Sequence, residues 1–347
     1  MPLIADRYEP TGNAAWGGMG EVNECIDLNL GRKVMLKRVL KPSDMPRLLD
    51  EQKALIKLRS KHVVQLLDVV KFSWKSREIT CLVLEHIEGS DLDKLSFKPD
   101  LDYQKMLWQV ASGLSDIHQS GVIHRDIKPQ NIRKDKFGVI KIIDFGLARE
   151  TGIDAKTKSI TGTLGYMAPE LYGTATISFS PAVDTFAFGW TALALLGLGP
   201  KPEKAKAIPK GAVLATFKNL NPTIASVIES CLELAPVSRP AMSEVAASLG
   251  QDLLRDCHRA NIVRDGTAVF ELHSKNRTAT ITSAVGKIAI QYDGTKFFIS
   301  HVTGDVFVNN KAVAAGAVML SSCLITIGTG ASRAFLTFDV SNPEISA

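Results

Sequence analysis

The sequence predicts an α+β protein in which a strand-rich region, a helix-rich region and a small all-β region follow one another. Up to residue 88 the chain consists mainly of β-type runs separated by glycine-rich turns, with one amphipathic helix among them. Apolar residues recur at helical spacing beyond residue 100, and short β-type runs return after Ala260. Strands followed by helices predict two lobes with a ligand cleft between them.

The first lobe is predicted to hold a twisted hairpin, a helix and two further strands. The runs 21–26 and 32–39 have the composition of antiparallel strands joined by a turn. Between residues 45 and 60, three leucines recur among charged residues at the spacing of an amphipathic helix. Two more strands are expected near 63–72 and 79–85.

The second lobe is predicted to be helical. One face of the segment 103–119 collects its apolar residues, which are Leu107, Val110, Leu114 and Ile117. Three further helices are expected, at 181–196, 223–233 and 242–258. The longest apolar stretch, about fourteen residues from Phe186, is too short to cross a bilayer and is typical of a buried helix.

The last region is predicted to be an antiparallel sandwich. Seven short β-type runs begin at residue 268, and Gly, Asn and Asp residues separate them. The sequence therefore predicts two domains. The first covers residues 1–256, with a strand-rich lobe to about residue 88 and a helical lobe over 89–256. The second covers residues 264–347.

The composition is that of an ordinary globular protein. Of the 347 residues, 45% are apolar and 22% charged, and the net charge of +5 is spread along the chain, which gives no case for nucleic-acid binding. Five cysteines without CxxC spacing indicate reduced thiols rather than disulfides or a zinc site. The first residues do not resemble a signal peptide and no stretch is long enough to span a membrane, so a cytoplasmic location is expected.

One motif carries most of the functional argument. The run His124-Arg125-Asp126-Ile127-Lys128-Pro129-Gln130-Asn131 is followed, after a short hydrophobic strand, by Asp144-Phe145-Gly146. An aspartate near a hydroxyl can accept its proton, while an asparagine and a second aspartate can hold the divalent cations that neutralise a nucleoside triphosphate. Chance explains three such residues easily, but not eleven in this order.

Over residues 8–255 these motifs together resemble the Hanks-type serine/threonine protein kinases, in particular their bacterial branch. The resemblance implies the bilobal protein kinase fold. It also implies transfer of the γ-phosphate of ATP to serine or threonine hydroxyls of protein substrates, with ATP and Mg²⁺, or Mn²⁺, as cofactors. Lys128 in the catalytic loop is typical of the serine/threonine class.

The first nucleotide contacts that the resemblance implies lie in the segment 16–22. Gly17, Gly18 and Gly20 match the loop whose backbone amides approach the ATP phosphates, because glycines leave room for that approach. Val22 would pack beneath the adenine. Taken alone, this segment could equally be an ordinary glycine-rich turn.

Further contacts follow from the same resemblance. Lys37 would contact the α- and β-phosphates and pair with Glu51 of the amphipathic helix. The carbonyl of Glu85 and the amide of Ile87 would bind the adenine. Asp91 is placed either to reach the ribose or to cap the residues that follow it.

In the catalytic loop, the resemblance makes Asp126 the group that orients and deprotonates the acceptor hydroxyl. Lys128 would steady the γ-phosphate, and Asn131 and Asp144 would bind the metal ions. His124 lies among apolar residues, which predicts a packed, hydrogen-bonded core histidine rather than a proton carrier.

The segment after Asp144 distinguishes protein kinases from small-molecule phosphotransferases. Arg125 can grip a phosphate there, so autophosphorylation is expected at one of three hydroxyls: Thr157, Ser159 or Thr161. Each of these hydroxyls could instead be an ordinary member of a polar loop.

Four residues match structural positions of the kinase family. Thr163 matches the threonine that contacts the catalytic aspartate and lysine. Glu170 is expected to form a buried ion pair with Arg239, and Asp184 to anchor the catalytic loop.

Two departures from the family pattern support an alternative function. Ala15 replaces the usual first glycine of the loop, and Met35 replaces an alanine above the adenine. A crowded pocket would make the protein a pseudokinase scaffold that binds partners without catalysis. The intact Lys37, Asp126 and Asp144 argue against this alternative.

The C-terminal region resembles a forkhead-associated (FHA) domain, a sandwich that binds phosphothreonine. The resemblance lies in three segments, which are 293–299, 307–313 and 325–328. Its phosphate-binding residues fit badly, because Gly286 stands where histidine belongs after Ser283 and Asp305 lies in the binding turn. Arg277 is a candidate replacement for the usual arginine. A degenerate domain with a structural or protein-binding role is favoured over one that binds phosphothreonine, and a different β fold is the remaining alternative.

Overall fold

The computed structural model describes residues 3–17, 20–39, 42–74, 77–151, 156–157, 163–172, 177–199, 208–319, 321–341 and 343–345. The chain divides into two compact units, Met1–Leu249 and Gly250–Ser346. The first contains a strand-rich lobe and a helical lobe, and the second consists mainly of β-strands, which confirms the predicted fold class. Among the helices in these ranges, none is long and apolar enough to cross a membrane.

The first lobe is an antiparallel five-stranded sheet with one helix. Its elements are β1 (Tyr8–Gly17), β2 (Gly20–Asp27), β3 (Arg32–Arg38), α1 (Met45–Lys57), β4 (Leu66–Trp74) and β5 (Arg77–Glu85). The strand order is β1-β2-β3-β5-β4. Because side chains alternate along a strand, Val34 and Leu36 of β3 enter one small core, whereas Met35 and Lys37 share the opposite face.

Helix α1 follows β3 and presents a single buried stripe. Its buried residues are Leu48, Glu51, Ala54 and Leu55, which are spaced by about one helical turn. Glu51 is therefore a carboxylate within an apolar stripe. A buried charge of this kind needs a partner.

The second lobe contains five helices and short strands in the residues described. The strands are β6 (Gly89–Asp91), β7 (Val122–Ile123), β8 (Ile132–Asp135), β9 (Ile140–Ile142), β10 (Arg149–Glu150), β11 (Lys156–Thr157) and β12 (Ile177–Ser178). The helices are α2 (Leu101–Gln119), α3 (Ala182–Leu195), α4 (Ala212–Thr216), α5 (Pro222–Cys231) and α6 (Met242–Leu253).

Helices α2 and α3 form the centre of this lobe. The predicted apolar face of α2 is buried, and Asp100 caps its start by accepting a 3.0 Å hydrogen bond from the amide of Tyr103. Nearly every residue of α3 is buried, as its apolar run predicts.

One predicted helix boundary is wrong. The helix expected to reach residue 258 ends at Leu253. Asp256 takes a left-handed backbone conformation with φ +63°, and its amide donates a 2.7 Å hydrogen bond to the Gly294 carbonyl. The chain is therefore drawn away from the helix axis and into the β region.

The C-terminal unit has two antiparallel sheets. Its strands are β13 (Ala260–Arg264), β14 (Thr267–Leu272), β15 (Thr278–Ser283), β16 (Gly286–Tyr292), β17 (Phe297–Gly304), β18 (Val306–Val308), β19 (Lys311–Ala312), β20 (Val318–Met319), β21 (Cys323–Ile327) and β22 (Ala334–Val340). The sheet orders are β14-β13-β22-β21-β18-β19 and β15-β16-β17-β20. Residues of both sheets share one core, and the rings of Phe297 and Phe338 meet across it at 5.5 Å.

Candidate active site

Four side chains of the catalytic loop and the following segment form one connected cluster. Oδ2 of Asp126 accepts hydrogen bonds of 2.8 Å from Nζ of Lys128 and of 2.8 Å from Nδ2 of Asn131. Oδ1 accepts a 2.7 Å bond from the hydroxyl of Thr163, which itself accepts a 2.7 Å bond from Lys128. The Asp126 carboxylate is thereby fixed by the Asn131 amide, the Thr163 hydroxyl and the Lys128 ammonium group.

Asp184 holds the loop that carries this cluster. It lies in the first turn of α3, fully buried, and accepts 2.8 Å bonds from the amides of His124 and Arg125. Nε2 of His118 lies 2.9 Å from the same carboxylate. Burial opposes the charge of Asp184, but these bonds outweigh it and lower its pKa. They also hold Arg125 at φ +70°, a conformation that costs free energy in a non-glycine residue.

His124 packs in the core, as the sequence predicts. The side chain is fully buried, and its ring lies edge-on to Phe145 with centroids 4.7 Å apart. Nδ1 accepts a 3.3 Å bond from the amide of Asp126, and Nε2 lies 3.2 Å from the carbonyl oxygen of Ile143. Both ring nitrogens are thus engaged in structural contacts.

Lys37 joins the two lobes of the site. Its Nζ lies 2.7 Å from Oε2 of Glu51 and 2.7 Å from Oδ1 of Asp144. Burial disfavours the ammonium ion, but the two carboxylates outweigh it and raise the pKa of Lys37. Burial likewise opposes the charge of Asp144, and Lys37 overcomes it and lowers the pKa of that carboxyl. The shifts favour the charged forms of Lys37 and Asp144, whereas at Glu51 burial outweighs the attraction of Lys37 and raises the pKa of that carboxyl.

Asn131 and Asp144 lie at the same end of a hairpin. Asn131 comes directly before β8 and Asp144 closely follows β9, and the amide of Ile143 donates a 2.9 Å bond to the Asn131 carbonyl. Asn131 uses Nδ2 for its bonds to Asp126, which turns the amide oxygen away from that carboxylate. One amide oxygen and one carboxylate suit Mg²⁺, which commonly takes one or two protein ligands and completes its shell with phosphates and water.

No cluster of three His, Cys, Asp or Glu side chains that could hold a metal ion occurs in the described part of the chain.

The residues predicted to contact adenine and ribose lie at the end of β5 and in the segment that follows it. The amide of Glu85 donates a 3.0 Å bond to the Gln65 carbonyl, and its carboxylate pairs with Lys141 at 2.7 Å. Asp91 stands at the N-cap position of the short turn that begins at Leu92, as one of its two predicted roles requires, but its side chain makes no capping hydrogen bond. The carboxylate instead accepts bonds from Arg133 and Lys94, at 2.9 and 2.7 Å.

The glycine-rich segment includes the end of β1 and the start of β2. Gly17 and Gly20 are backbone partners that close this hairpin, and Gly18 lies outside the described residues. Val22 is the partner of Lys37 on the neighbouring strand β3. Met35 stands two residues before Lys37 on the same face, half-buried, opposite Leu84 of β5.

Two of the three expected phosphorylation sites, Ser159 and Thr161, lie outside the described residues. Thr157 is in β11, and its backbone partner is Ile177 of β12. Next to the catalytic loop, the guanidinium of Arg125 stacks on the ring of Phe179 at 3.6 Å.

The charge of Arg125 is poorly compensated. Its buried Nε has no hydrogen-bond partner within the described ranges. Burial, together with repulsion from Arg149, lowers the pKa of Arg125 to about 10. An anion placed here would relieve both effects.

Glu170 and Arg239 form a bidentate ion pair with distances of 2.7 and 2.8 Å. The same guanidinium donates to the carbonyls of Glu233, Leu234 and Ala182 and lies over the ring of Phe186. It therefore joins the segment after Thr163 to helix α3 and to the loop that follows α5.

In the C-terminal unit, the candidate phosphate ligands do not converge. Ser283 donates a 3.2 Å bond to the Gly286 carbonyl across a tight turn at the end of β15. Arg277 precedes the other end of this strand, about 20 Å away at the usual rise per residue, and pairs with Asp256 at 2.7 Å. Arg277 therefore does not replace the missing arginine.

Arg133 contacts the predicted nucleotide site, but the sequence does not single it out. A charged residue in a short strand looks like an ordinary exposed position, although β8 begins directly after the motif residue Asn131. In the structure, all three of its donor nitrogens contact the segment that contains Ile87 and Asp91.

Comparison with known proteins agrees with this geometry. A family model described as protein kinase domain matches residues 12–249. Cyclin-dependent kinase-like 2 of Pongo abelii is 35% identical over 193 residues, which are 53% of this chain and 38% of that protein. G protein-coupled receptor kinase 2 of Drosophila melanogaster is 34% identical over 185 residues, 50% of this chain and 25% of that protein. The chain thus spans less than two fifths of the length of either relative, and the matched region, which contains the whole site described above, shows that the chain belongs to the protein kinase family.

Proposed function

We propose that this protein is an active serine/threonine protein kinase that transfers the γ-phosphate of ATP to protein hydroxyls. The observation that carries the proposal is the connected cluster of Asp126, Lys128, Thr163 and Asn131. Each contact holds a charged or polar group where in-line phosphoryl transfer requires one. A protein that only binds partners has no need of this arrangement.

The residues divide the chemistry between them. Asp126 orients the acceptor hydroxyl and takes its proton, and Lys128 steadies the transferred phosphate. Lys37, fixed by Glu51, holds the other phosphates. Asn131 and Asp144 would hold divalent cations, Mg²⁺ or Mn²⁺, which would neutralise charge on the phosphate oxygens.

The proposed acceptor site lies beside Asp126. A concave pocket there is lined by Thr163, Tyr166, Met167 and Leu171, among other residues. We propose that the serine or threonine hydroxyl of a protein substrate approaches the Asp126 carboxylate next to Thr163. The hydrogen bonds of Thr163 to both Asp126 and Lys128 support the serine/threonine class.

We propose autophosphorylation in the segment after Asp144, at Thr157, Ser159 or Thr161. The buried, poorly compensated guanidinium of Arg125 supports this, because a phosphate would pair with it. Protein made in a host without protein kinases should carry phosphate by mass spectrometry, and the Asp126→Asn variant should carry none. Phosphate on that variant would overturn the proposal.

The remaining proposals concern the whole chain. We propose a kinase domain at 1–256, with lobes at about 1–88 and 89–256, and an FHA-like domain at 264–347 that binds a protein partner. The resemblance of residues 16–22 supports the bacterial branch, and a cytoplasmic location is proposed with it. Micromolar binding of phosphothreonine peptides to the full chain, absent for unphosphorylated peptides, would contradict a degenerate FHA-like domain.

A turnover assay separates the kinase from the pseudokinase alternative. Wild type should phosphorylate a general acceptor protein with ATP and Mg²⁺, and the Asp144→Asn variant should not. Equal turnover by both proteins would refute the metal assignment. No turnover by wild type would favour a scaffold whose nucleotide pocket is blocked by Met35.

A further inference from the structure

Arg133 of β8 is bound along the whole length of the segment 87–91. Its Nε donates a 3.0 Å bond to the carbonyl of Ile87, and Nη2 donates a 2.8 Å bond to the carbonyl of Gly89. Nη1 donates a 2.9 Å bond to Oδ1 of Asp91. One guanidinium therefore fixes two backbone carbonyls and one carboxylate at once.

These bonds reach beyond the pairing of the strands themselves. In the β6–β8 ladder, Asp91 is the direct partner of Arg133 and Gly89 is the partner of Asp135. Ile87 lies outside this ladder, yet its carbonyl turns back to Arg133. The segment is thus curved around the guanidinium, and the side chain determines the orientation of the peptide groups next to Ile87.

The position of Arg133 in the chain gives this contact its significance. It stands two residues after Asn131, the proposed metal ligand, and β8 and β9 hold that residue near Asp144. The segment 87–91 carries the proposed contacts to adenine and ribose. Arg133 consequently connects the part of the site that would hold the base and sugar with the part that would hold the metal and phosphates.

We infer that Arg133 is a positioning residue for the nucleotide. It fixes the positions of the Ile87 amide and the Asp91 carboxylate relative to the residues that would hold the phosphates. This inference rests on the proposed kinase function. The residue type fits the role, because a planar guanidinium offers several donors in fixed directions, whereas a lysine ammonium is a single flexible point charge.

A merely structural role makes a different prediction. If Arg133 only stabilised the lobe, its loss would lower the amount of folded protein and the melting temperature without changing the affinity of the folded fraction for ATP. A positioning residue instead changes nucleotide affinity while the affinity for the acceptor protein stays the same.

The experiment compares full-length wild type with Arg133→Gln, Arg133→Lys and Lys136→Gln. Lys136 is the matched control, because it follows the same strand and pairs with Glu88 of the same segment, at 2.6 Å. Unlike the partners of Arg133, the side chains that its ammonium group meets, Glu88 and Phe137, are both exposed. Binding of a fluorescent trinitrophenyl analogue of ATP, KM for ATP, KM for a general acceptor protein and melting temperature are measured for each protein.

We expect Arg133→Gln to raise both the Kd of the analogue and the KM for ATP about tenfold, which corresponds to about 1.4 kcal/mol. The KM for the acceptor should be unchanged, Arg133→Lys should be intermediate, and Lys136→Gln should match wild type. Unchanged nucleotide affinity in Arg133→Gln, or equal losses in all four measurements, would overturn the inference and leave the kinase proposal intact. A wild type that neither binds the analogue nor turns over ATP would overturn both.

Discussion

The hydroxyl of Thr163 donates a 2.7 Å hydrogen bond to Oδ1 of Asp126. The same hydroxyl accepts a 2.7 Å bond from Lys128, so one small side chain fixes both the proposed base and the cation next to it. The Thr163→Val variant keeps the shape of the side chain but loses both bonds. We expect its kcat to fall about 100-fold, because misplacing a reacting group by roughly 1 Å has an effect of this size.

The Thr163→Ser variant is the matched control, since it retains the hydroxyl, and it should keep most of the activity. Single-turnover phosphorylation of an acceptor protein measures both variants without interference from product release. Equal rates for Thr163→Val and wild type would show that the hydrogen bonds to Asp126 do not position it for catalysis.

The ion pair between Glu170 and Arg239 should contribute strongly to the free energy of unfolding, although it lies close to the proposed acceptor site. Arg239→Ala leaves a carboxylate and three carbonyl groups without their donor, so we expect the first unit to lose about 3–5 kcal/mol of unfolding free energy. Glu170→Gln keeps a hydrogen-bonding group and should cost about 1–2 kcal/mol. Urea denaturation measures both.

An exposed ion pair in the same unit supplies the control for this experiment. Lys71 and Glu78 lie 3.4 Å apart on neighbouring strands, with both side chains more than half exposed. Lys71→Gln should therefore change the unfolding free energy by less than about 1 kcal/mol. A similar small effect for Arg239→Ala would mean that the buried guanidinium is replaced by water without loss.

Features that depend on a single element could be predicted from the sequence, whereas features that depend on contacts between distant residues could not. The buried face of α2 could be predicted, because it depends on the period of a single helix. The end of α6 could not, because it depends on a hydrogen bond from Asp256 to Gly294, which lies in another element. The same limit applies to Arg133, whose partners lie more than forty residues earlier in the chain.

In the C-terminal unit, closeness in sequence did not mean closeness in space. Ser283 and Arg277 are close in sequence, and this closeness made a shared phosphate site conceivable. A β-strand separates residues by about 3.3 Å each, so six residues place the two side chains at opposite ends of β15. The first strand of this unit, β13, was also missed, because its sequence Ala-Asn-Ile-Val-Arg has too few apolar residues in alternation.

Buried His62 should make the stability of the first unit depend on pH. Burial lowers the pKa of its imidazole, and Nδ1 lies 3.0 Å from the Ile140 carbonyl. A depressed pKa leaves stability intact above the ordinary value of about 6.5. Stability is lost as the pH falls from there through the lower pKa of the folded state, because the unfolded chain takes up the proton more readily.

We therefore expect the melting temperature to fall between about pH 7.5 and pH 5.5, by less in His62→Gln than in wild type. His301 is exposed in the C-terminal unit, and His301→Gln should reproduce the wild-type difference. The same pH dependence in His62→Gln and wild type would show that His62 is not the group responsible.

Two glycines of the C-terminal unit test whether close packing or backbone conformation determines residue choice. Gly304 has φ +73°, and an added Cβ would lie 2.3 Å from the Val285 carbonyl oxygen, whereas Gly316 has φ +92° and open space around it. Gly316→Ala should cost only the strain of a left-handed alanine, about 1–2 kcal/mol. Gly304→Ala adds a backbone clash and should cost about 3 kcal/mol or more.

Native-state hydrogen exchange at amides of β16 and β17 measures both variants, because it reports on this unit alone. Equal costs would mean that the turn between β15 and β16 moves aside readily.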